Sequence, residues 1–289
     1  WPMRGTLHFV AADDARWMTR LLAPRVIARH SPRWEREHGL NAKLVGRADE
    51  IVTRALEGGR RLTRERLYEA LEAKRIRTGQ SRGLHLLMML ALQGRLCLAG
   101  REGKQHTFAL LDEWVPASRA LEGDEALAEL ARRYFTSHGP ATVKDFTCWA
   151  GITVKQAATG LDGARKRLAC AEIDGVGYWW RDSGTRTASR RSPHVHLLPA
   201  FDEYTVAYQD RSLLVDGGMR VSKMALLSPA VLLDGRVVGS WKRTLDRKSA
   251  VVTTTLSRAL NANETKALRE SVTAFGNYLQ LPARLSISR

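Results

Sequence analysis

The stretch "SRGLHLLMMLALQGRLCLAGREGKQHTFALLDEWV", residues 81–115, constrains the fold more than any other part of the chain. It opens as a helix. Leu84, Leu87, Met88, Ala91 and Leu92 recur at three- and four-residue spacing, a stripe that must face a core. Arg82, His85, Met89 and Gln93 fall mostly on the other face. Two short β-prone runs follow at once, flanking the turn Gly100-Arg101-Glu102-Gly103-Lys104. Upstream, one helix is expected over about Leu44 to Leu56. Another starts near Thr63, a suitable N-cap, and runs through Leu67 and Leu71. Three helices and then a basic-tipped hairpin make the order of a winged helix-turn-helix unit, in which the third helix is presented outward.

The order recurs. "EGDEALAELARRYFTSHGP" reads as a helix burying Leu127, Leu130, Ala131 and Tyr134, ended by Gly139-Pro140. Short helices capped by Thr142 and Thr153 follow, then a hairpin turning near Asp174-Gly175 and ending near Trp180. Before the first unit, Leu7 to Val10 reads as a short strand. A helical stretch from Asp13 to about Leu40 comes next, with Pro24 expected to kink or divide it. Arg16 and Arg20 lie on a face away from much of its apolar stripe. "WPMRGTLHFV" then reads as the last strand of an earlier wing whose helices would lie upstream. After Trp180, "RDSGTRTASRRSP" is read as a loop or linker. Beyond it come short strands, a hairpin turning at Asp234-Gly235, and a final helix with Asn261 and Glu264 at capping-box spacing. The expected fold is α+β, divided into 1–40 (wing remnant and bridging helices), 41–116 and 117–181 (two winged helices), and 182–289 (a β-rich domain with a final helix).

Lys and Arg total 46 against 30 Asp and Glu, for a formal charge of +16 and a pI near 10.4. That excess points to a polyanionic partner, DNA, RNA or an anionic membrane surface, with nucleic acid ahead of a generally basic protein that has no such role. No apolar run is long enough to cross a bilayer. Cys97, Cys148 and Cys170 form no metal-binding or disulfide pattern, and a reducing cytoplasm suits them.

"WPMRGTLHFVAADDARWM", "DEALAELARRYFTSHGPATVKDF", "LLPAFDEYTVAYQDR" and "VLLDGRVVGSWKRT" together resemble the bacterial winged-helix DNA-binding family that includes the AlkZ-type alkylpurine DNA glycosylases. The resemblance covers nearly the whole chain. It implies tandem winged helices, a C-terminal barrel-like domain, a concave basic surface, and excision of alkylated purines from duplex DNA, bulky or cross-linked adducts included. No metal or cofactor is implied, and three DNA-binding-like units in one chain suit a monomer on the nucleoid. Active members carry a Gln-Φ-Gln or Gln-Φ-Asp motif, Φ being apolar, ahead of the Trp-Pro-Met-Arg-Gly segment. Gln80, Gln93, Gln105, Gln156, Gln209 and Gln280 form no such motif. The groups that break the bond are therefore expected upstream of Trp1, or to have been lost. The alternative is a DNA-binding protein without catalysis, such as a transcription regulator.

Candidate DNA contacts are Arg4 and His8 in the opening segment, and Arg82, His85 and Gln93 on the outward face of the third helix. Arg101 and Lys104 tip the first hairpin; Lys144 and Lys155 stand in the second unit; Arg186, Arg190 and Arg191 follow it. Each has a plainer reading: a structural hydrogen bond, a solvated helix face or a basic linker. Asp202 and Glu203, neighbours on an expected strand, would point to opposite faces, so a structural role is favoured over acid–base work. His194 and His196 would share a strand face, but no third metal ligand stands at a recognisable spacing. One of Trp179 and Trp180 is expected to pack inward.

Overall fold

The computed structural model describes residues 3–182, 193–215 and 227–288. The described chain forms two compact units, one of 3–143 with 150–181, the other of 144–149 with 182–288. Candidate residues Arg186, Arg190 and Arg191 lie outside the described residues.

In the first unit, helix α1 (Ala12–His38) runs through Pro24 and Pro32 without dividing. Each proline costs the helix a backbone hydrogen bond. Burial of Leu22, Ala23 and Val26 on both sides of exposed Pro24 holds the helix together. Gly39, in the left-handed region at φ +65°, terminates it. Helix α2 (Ala42–Leu56) is capped by Asn41, which accepts from the Leu44 amide at 2.9 Å. A two-residue strand β1 (Leu62–Thr63) leads into α3 (Arg64–Ala73), with Thr63 as its N-cap. Helix α4 (Arg82–Leu92) then passes into β2 (Leu96–Glu102) and β3 (Gln105–Leu110). These strands form one antiparallel sheet in the order β1-β3-β2.

The opening segment departs from expectation. Leu7 to Val10 is not a strand. Arg4 and Gly5, at φ +53° and +75°, make a tight turn closed by a 3.0 Å bond from the Thr6 amide to the Met3 carbonyl. After it the chain has no ladder partner among the described residues, and a strand without one does not form.

A short helix α5 (Leu111–Trp114) precedes α6 (Gly123–His138), α7 (Val143–Ala150) and α8 (Val154–Ala164). Strands β4 (Ala169–Ile173) and β5 (Val176–Trp180) close the series, turning at Asp174-Gly175 as the sequence predicts. Both turn residues have positive φ, the pairing a two-residue hairpin requires. Helix α8 begins with the full capping box of Thr153 and Gln156. Helices α6 and α8 pack closely because position 160 is glycine: a Cβ there would meet the Leu127 carbonyl oxygen at 2.6 Å. Helix α1 is joined to α6 by Asp14, a buried carboxylate that accepts from Trp17 Nε1 at 2.9 Å and from Arg133 at 3.0 Å.

The second unit is built on a five-stranded sheet in the order β10-β9-β8-β7-β6, with β6 (Val195–Leu198), β7 (Ala230–Leu233), β8 (Arg236–Leu245), β9 (Ala250–Leu256) and β10 (Ala283–Ser288). Helix α10 (Ala262–Leu279) lies between β9 and β10 in sequence, so those two strands run parallel. Its Leu268 and Val272 pack against Val195, Val231, Val238, Trp241 and Val252. The Asn261–Glu264 capping box is present, and two charge-assisted bonds from Arg258 reinforce Glu264. The barrel that the resemblance implies is not seen: the sheet is open, with β10 and β6 at its edges among the described residues. The "FDEY" segment is also not a strand. Asp202 caps a short helix α9 (Glu203–Val206) by accepting from the Tyr204 amide, and Glu203 accepts from Trp149. Both carboxylates are thus structural.

Candidate nucleic-acid interface

The first unit holds a cleft of about 620 Å³ between the opening segment, the start of α1, and the β2–β3 hairpin with α5. Its walls are apolar, with Leu7, Phe9, Leu96, Leu98, Trp114 and Val115 facing it. Phe9 is fully exposed and Trp114 about half exposed. Exposed aromatic rings beside cations are what a nucleobase can stack on. Arg61 lies over the Trp114 ring, 5.6 Å from its centroid.

The polar side chains of the cleft are His8, Thr19, Arg101, His106 and the Cys97 thiol. A one-residue bulge in the hairpin sets Arg101 and His106. Leu98 pairs with Phe108, yet Arg101 pairs with His106, so one extra residue sits in β2. Gly100, at φ +82°, supplies the left-handed backbone the bulge needs, and Thr107 seals it by donating to the Ala99 carbonyl at 2.7 Å. The hairpin therefore turns at Gly103-Lys104 alone. Arg101 and Glu102, expected in the turn, are strand residues. His8 bonds Thr6 Oγ1 through Nε2 at 2.7 Å. Burial pushes the Cys97 thiol up to about 11, so it stays protonated at neutral pH and is no nucleophile. Among the described residues, no carboxylate and no carboxamide lines the cleft. It offers surfaces for a base and a phosphate, but its described lining holds no side-chain carboxylate or carboxamide to stabilise a developing sugar cation.

Of the candidate contacts, the fold brings His8 and Arg101 together. His106, Phe9 and Trp114 join them, none of which was singled out from sequence. The signal for His106 was available, since hairpin pairing sets it opposite Arg101. Arg4 packs instead against Gly151, whose Cβ would lie 2.9 Å from the Arg4 chain. Lys104 stands at the hairpin tip over a shallow hollow with Glu65, Glu69 and Glu102, a less cationic setting than expected. Gln93 is exposed at the C-cap of α4, and Lys144 and Lys155 are exposed near the starts of α7 and α8.

The face that α4 turns inward differs from the one its periodicity predicts. The buried stripe includes Leu86, Leu87, Met89 and Leu90, while Leu84 is exposed. His85 is packed against the second half of α1, stacked on His38 at 4.6 Å and tilted against Trp34 at 5.3 Å. Burial, then the neighbouring His38, lowers its pKa. Arg82 reaches over Gly39, the C-cap of α1. Periodicity set the stripe one residue out of phase because Gly83 was not counted as apolar; its missing side chain lets α4 seat against Tyr68. Arg16 and Arg20 are engaged as well, with Asp112 and Glu122.

Comparison with known proteins defines the class. Over 99% of this chain and 80% of the other, the fold superposes on the DNA glycosylase AlkZ of Streptomyces sahachiroi with a TM-score of 0.76 at 24% identity. A protein of the same organism, an interstrand DNA cross-link repair glycosylase, is 28% identical over 265 residues, 84% of this chain and 69% of its own length. The model of the AlkZ-like DNA glycosylases matches residues 1–278. The chain belongs to the AlkZ-like DNA glycosylase family. No helix of the described residues is long and apolar enough to cross a membrane.

Proposed function

We propose that this protein is a DNA repair glycosylase that binds duplex DNA through two winged-helix units and excises alkylated purines, cross-linked adducts among them. The match over residues 1–278 carries the reading. Supporting it are the order helix, strand, helix, helix, hairpin in 42–110, the similar order in 123–180 with a single bridge at Ala141 in place of the strand, and the charge of +16. The protein works as a monomer on the nucleoid, in the cytoplasm. Arg101, His106 and Lys104 hold phosphates, with Gln93, Lys144 and Lys155 as further contacts, and Phe9 and Trp114 offer stacking faces.

Alkylation at N3 or N7 makes the purine a cationic leaving group, so bond cleavage passes through an oxocarbenium-like sugar. What remains for the protein is positioning, stabilisation of that cation and placement of a water. One observation favours a second reading, DNA binding without catalysis: among the described residues the cleft lining holds no carboxylate or carboxamide. Incubating the protein, as its whole gene encodes it, with duplex containing 7-methylguanine separates the two. Free 7-methylguanine is the expected product; tight binding with no release would sink the glycosylase reading and leave the other.

A further inference from the structure

We infer that the uncovered face of the β8–β9–β10 sheet is a contact surface for the phosphate backbone of duplex DNA. The inference rests on the DNA-binding reading above and adds a surface in the second unit to it.

Register defines the face. Ser240 pairs with Thr255, and Thr255 with Ser288; Lys242 pairs with Thr253, and Thr253 with Ser286; Thr244 pairs with Val251, and Val251 with Arg284. Side chains alternate along a strand, so these nine positions share one side of the sheet. The intervening residues take the other side, where Trp241, Val252 and Leu285 pack against α10 and Arg243 lies over Phe275. Helix α10 thus covers one side. On the opposite side every one of the nine residues is exposed or partly exposed.

The chemistry of the grid is uniform. Six of its positions are Ser or Thr, two are Lys242 and Arg284, and none is acidic. A face that simply meets water needs no such exclusion of carboxylates in a chain with 30 of them. Neither cation is ion-paired among the described residues. At the β8–β9 turn, beside the Thr244–Val251 row, Arg247 and Lys248 are exposed. The turn's own carboxylate, Asp246, is exposed, and its oxygens are engaged within the turn, accepting from the Lys248 and Ser249 amides at 2.7 Å and from Ser249 Oγ at 2.8 Å. Hydroxyls and cations without carboxylates are the groups that contact phosphate oxygens. Three residues of one face span about 13 Å along a strand and three strands about 10 Å across, room for roughly three or four phosphates of one DNA strand. The face is polar, unsuited to an apolar partner.

The test measures duplex affinity against salt for the wild type, a grid variant Lys242→Gln/Arg284→Gln, and a control Lys266→Gln/Arg269→Gln on exposed positions of α10. The grid variant should weaken binding severalfold regardless of DNA sequence and flatten the log–log salt slope by about two. The control removes the same charge and should leave the slope unchanged. Thr253→Val should weaken binding with no change in slope, because it removes a neutral donor. Lys242→Arg/Arg284→Lys, which keeps the charge, should bind like the wild type, so a loss caused by misfolding is recognised. Equal losses in the grid and control variants overturn the proposal, since bulk charge then explains both. A grid variant that binds as tightly as a binding-competent wild type also overturns it and leaves the DNA reading standing. A grid variant that loses only self-association in light scattering assigns the face to a second copy and overturns it too. A wild type that does not bind duplex at all removes the DNA reading itself, and this surface with it.

Discussion

Two hairpins of the first unit carry a cysteine at the same place, the second residue of their first strand, and treat it oppositely. Cys97 in β2 lines the apolar cleft and is half-buried; Cys170 in β4 is exposed. The β2–β3 hairpin gains a third strand in β1 and a bulge at Gly100, and the β3 half of it is buried. The β4–β5 hairpin keeps an unbroken register, and its added partner is a single bridge between Ala141 and Trp179. One order of elements thus yields one hairpin that is a wall and one that is a fin. What separates them is how much sheet and helix each has behind it. Where packing is dense the backbone is bent to aim Arg101 at the cleft. Where it is sparse the strands run straight and stay in water.

The sharpest way to break this contrast is chemical. Thiol alkylation at pH 8 should label Cys170 and the exposed Cys148 quickly. Cys97, held at about 11, should lag by about a hundredfold, because only the thiolate reacts. Equal rates, followed by mass spectrometry of the labelled peptides, would mean that the cleft wall opens in solution.

Helix packing sharpens the same comparison. In the α3–α4 region, a Cβ at Gly83 would meet the Tyr68 ring at 2.6 Å and Thr78 Cβ at 2.7 Å, and a ring can swing aside. In the α6–α8 region, a Cβ at Gly160 meets the carbonyl oxygen of Leu127, which is backbone and cannot yield without moving the helix. Gly160→Ala should therefore destabilise by about 2–3 kcal/mol in urea unfolding, and Gly83→Ala by about 1 kcal/mol, helix propensity offsetting part of each clash. The reverse ranking would show that α8 is less firmly seated than its glycine implies.

How much of this could be read from the chain alone varies with the range of the interaction. Helix caps at Thr63, Thr153 and Asn261, the turns at Asp174 and Asp234, and the helical order are local, set within four residues, and were legible. What went astray depended on partners distant in sequence. Leu7 to Val10 had the composition of a strand but found no ladder. His85 had the spacing of an outward residue but met α1, forty-seven residues earlier at His38. Strand β10 was missed although Ala283, Leu285 and Ile287 alternate with polar residues, because it pairs with β9 only after α10 has crossed between them. The cleft was half legible. Arg101 stood out as a charge in a turn, whereas Phe9 and Trp114 carry no signal until the fold leaves them uncovered.

The smallest expected difference lies in the ion pairs of the two regions. Beside α4, Arg95 meets Asp49 at 3.0 Å with both side chains substantially exposed, so Arg95→Met should shift stability by no more than about 0.5 kcal/mol. In the α6 region, Arg133 bonds both Asp14, a buried carboxylate, and Glu129, to which Arg119 and Arg132 also donate. Hydrogen bonds from Arg132, opposed by burial and aided by Arg133 and Arg119, hold Glu129 far below the usual carboxylate range. Burial raises Asp14, but bonds from Arg133 and Trp17 outweigh it and leave its pKa lowered. Arg133→Met strands Asp14 without its cation and should cost about 1–2 kcal/mol, discounted because Arg133 is itself about a third exposed. The sign with pH follows from the direction. Both carboxylates are more acidic folded than unfolded, so their contribution is complete above the unfolded values near pH 4 and fades as pH falls through the lower folded ones. Between pH 7 and pH 3 the wild type should therefore lose more stability than Arg133→Met does, while Arg95→Met follows the wild type. Parallel pH profiles for all three proteins would show that the α1–α6 junction draws nothing from its charges.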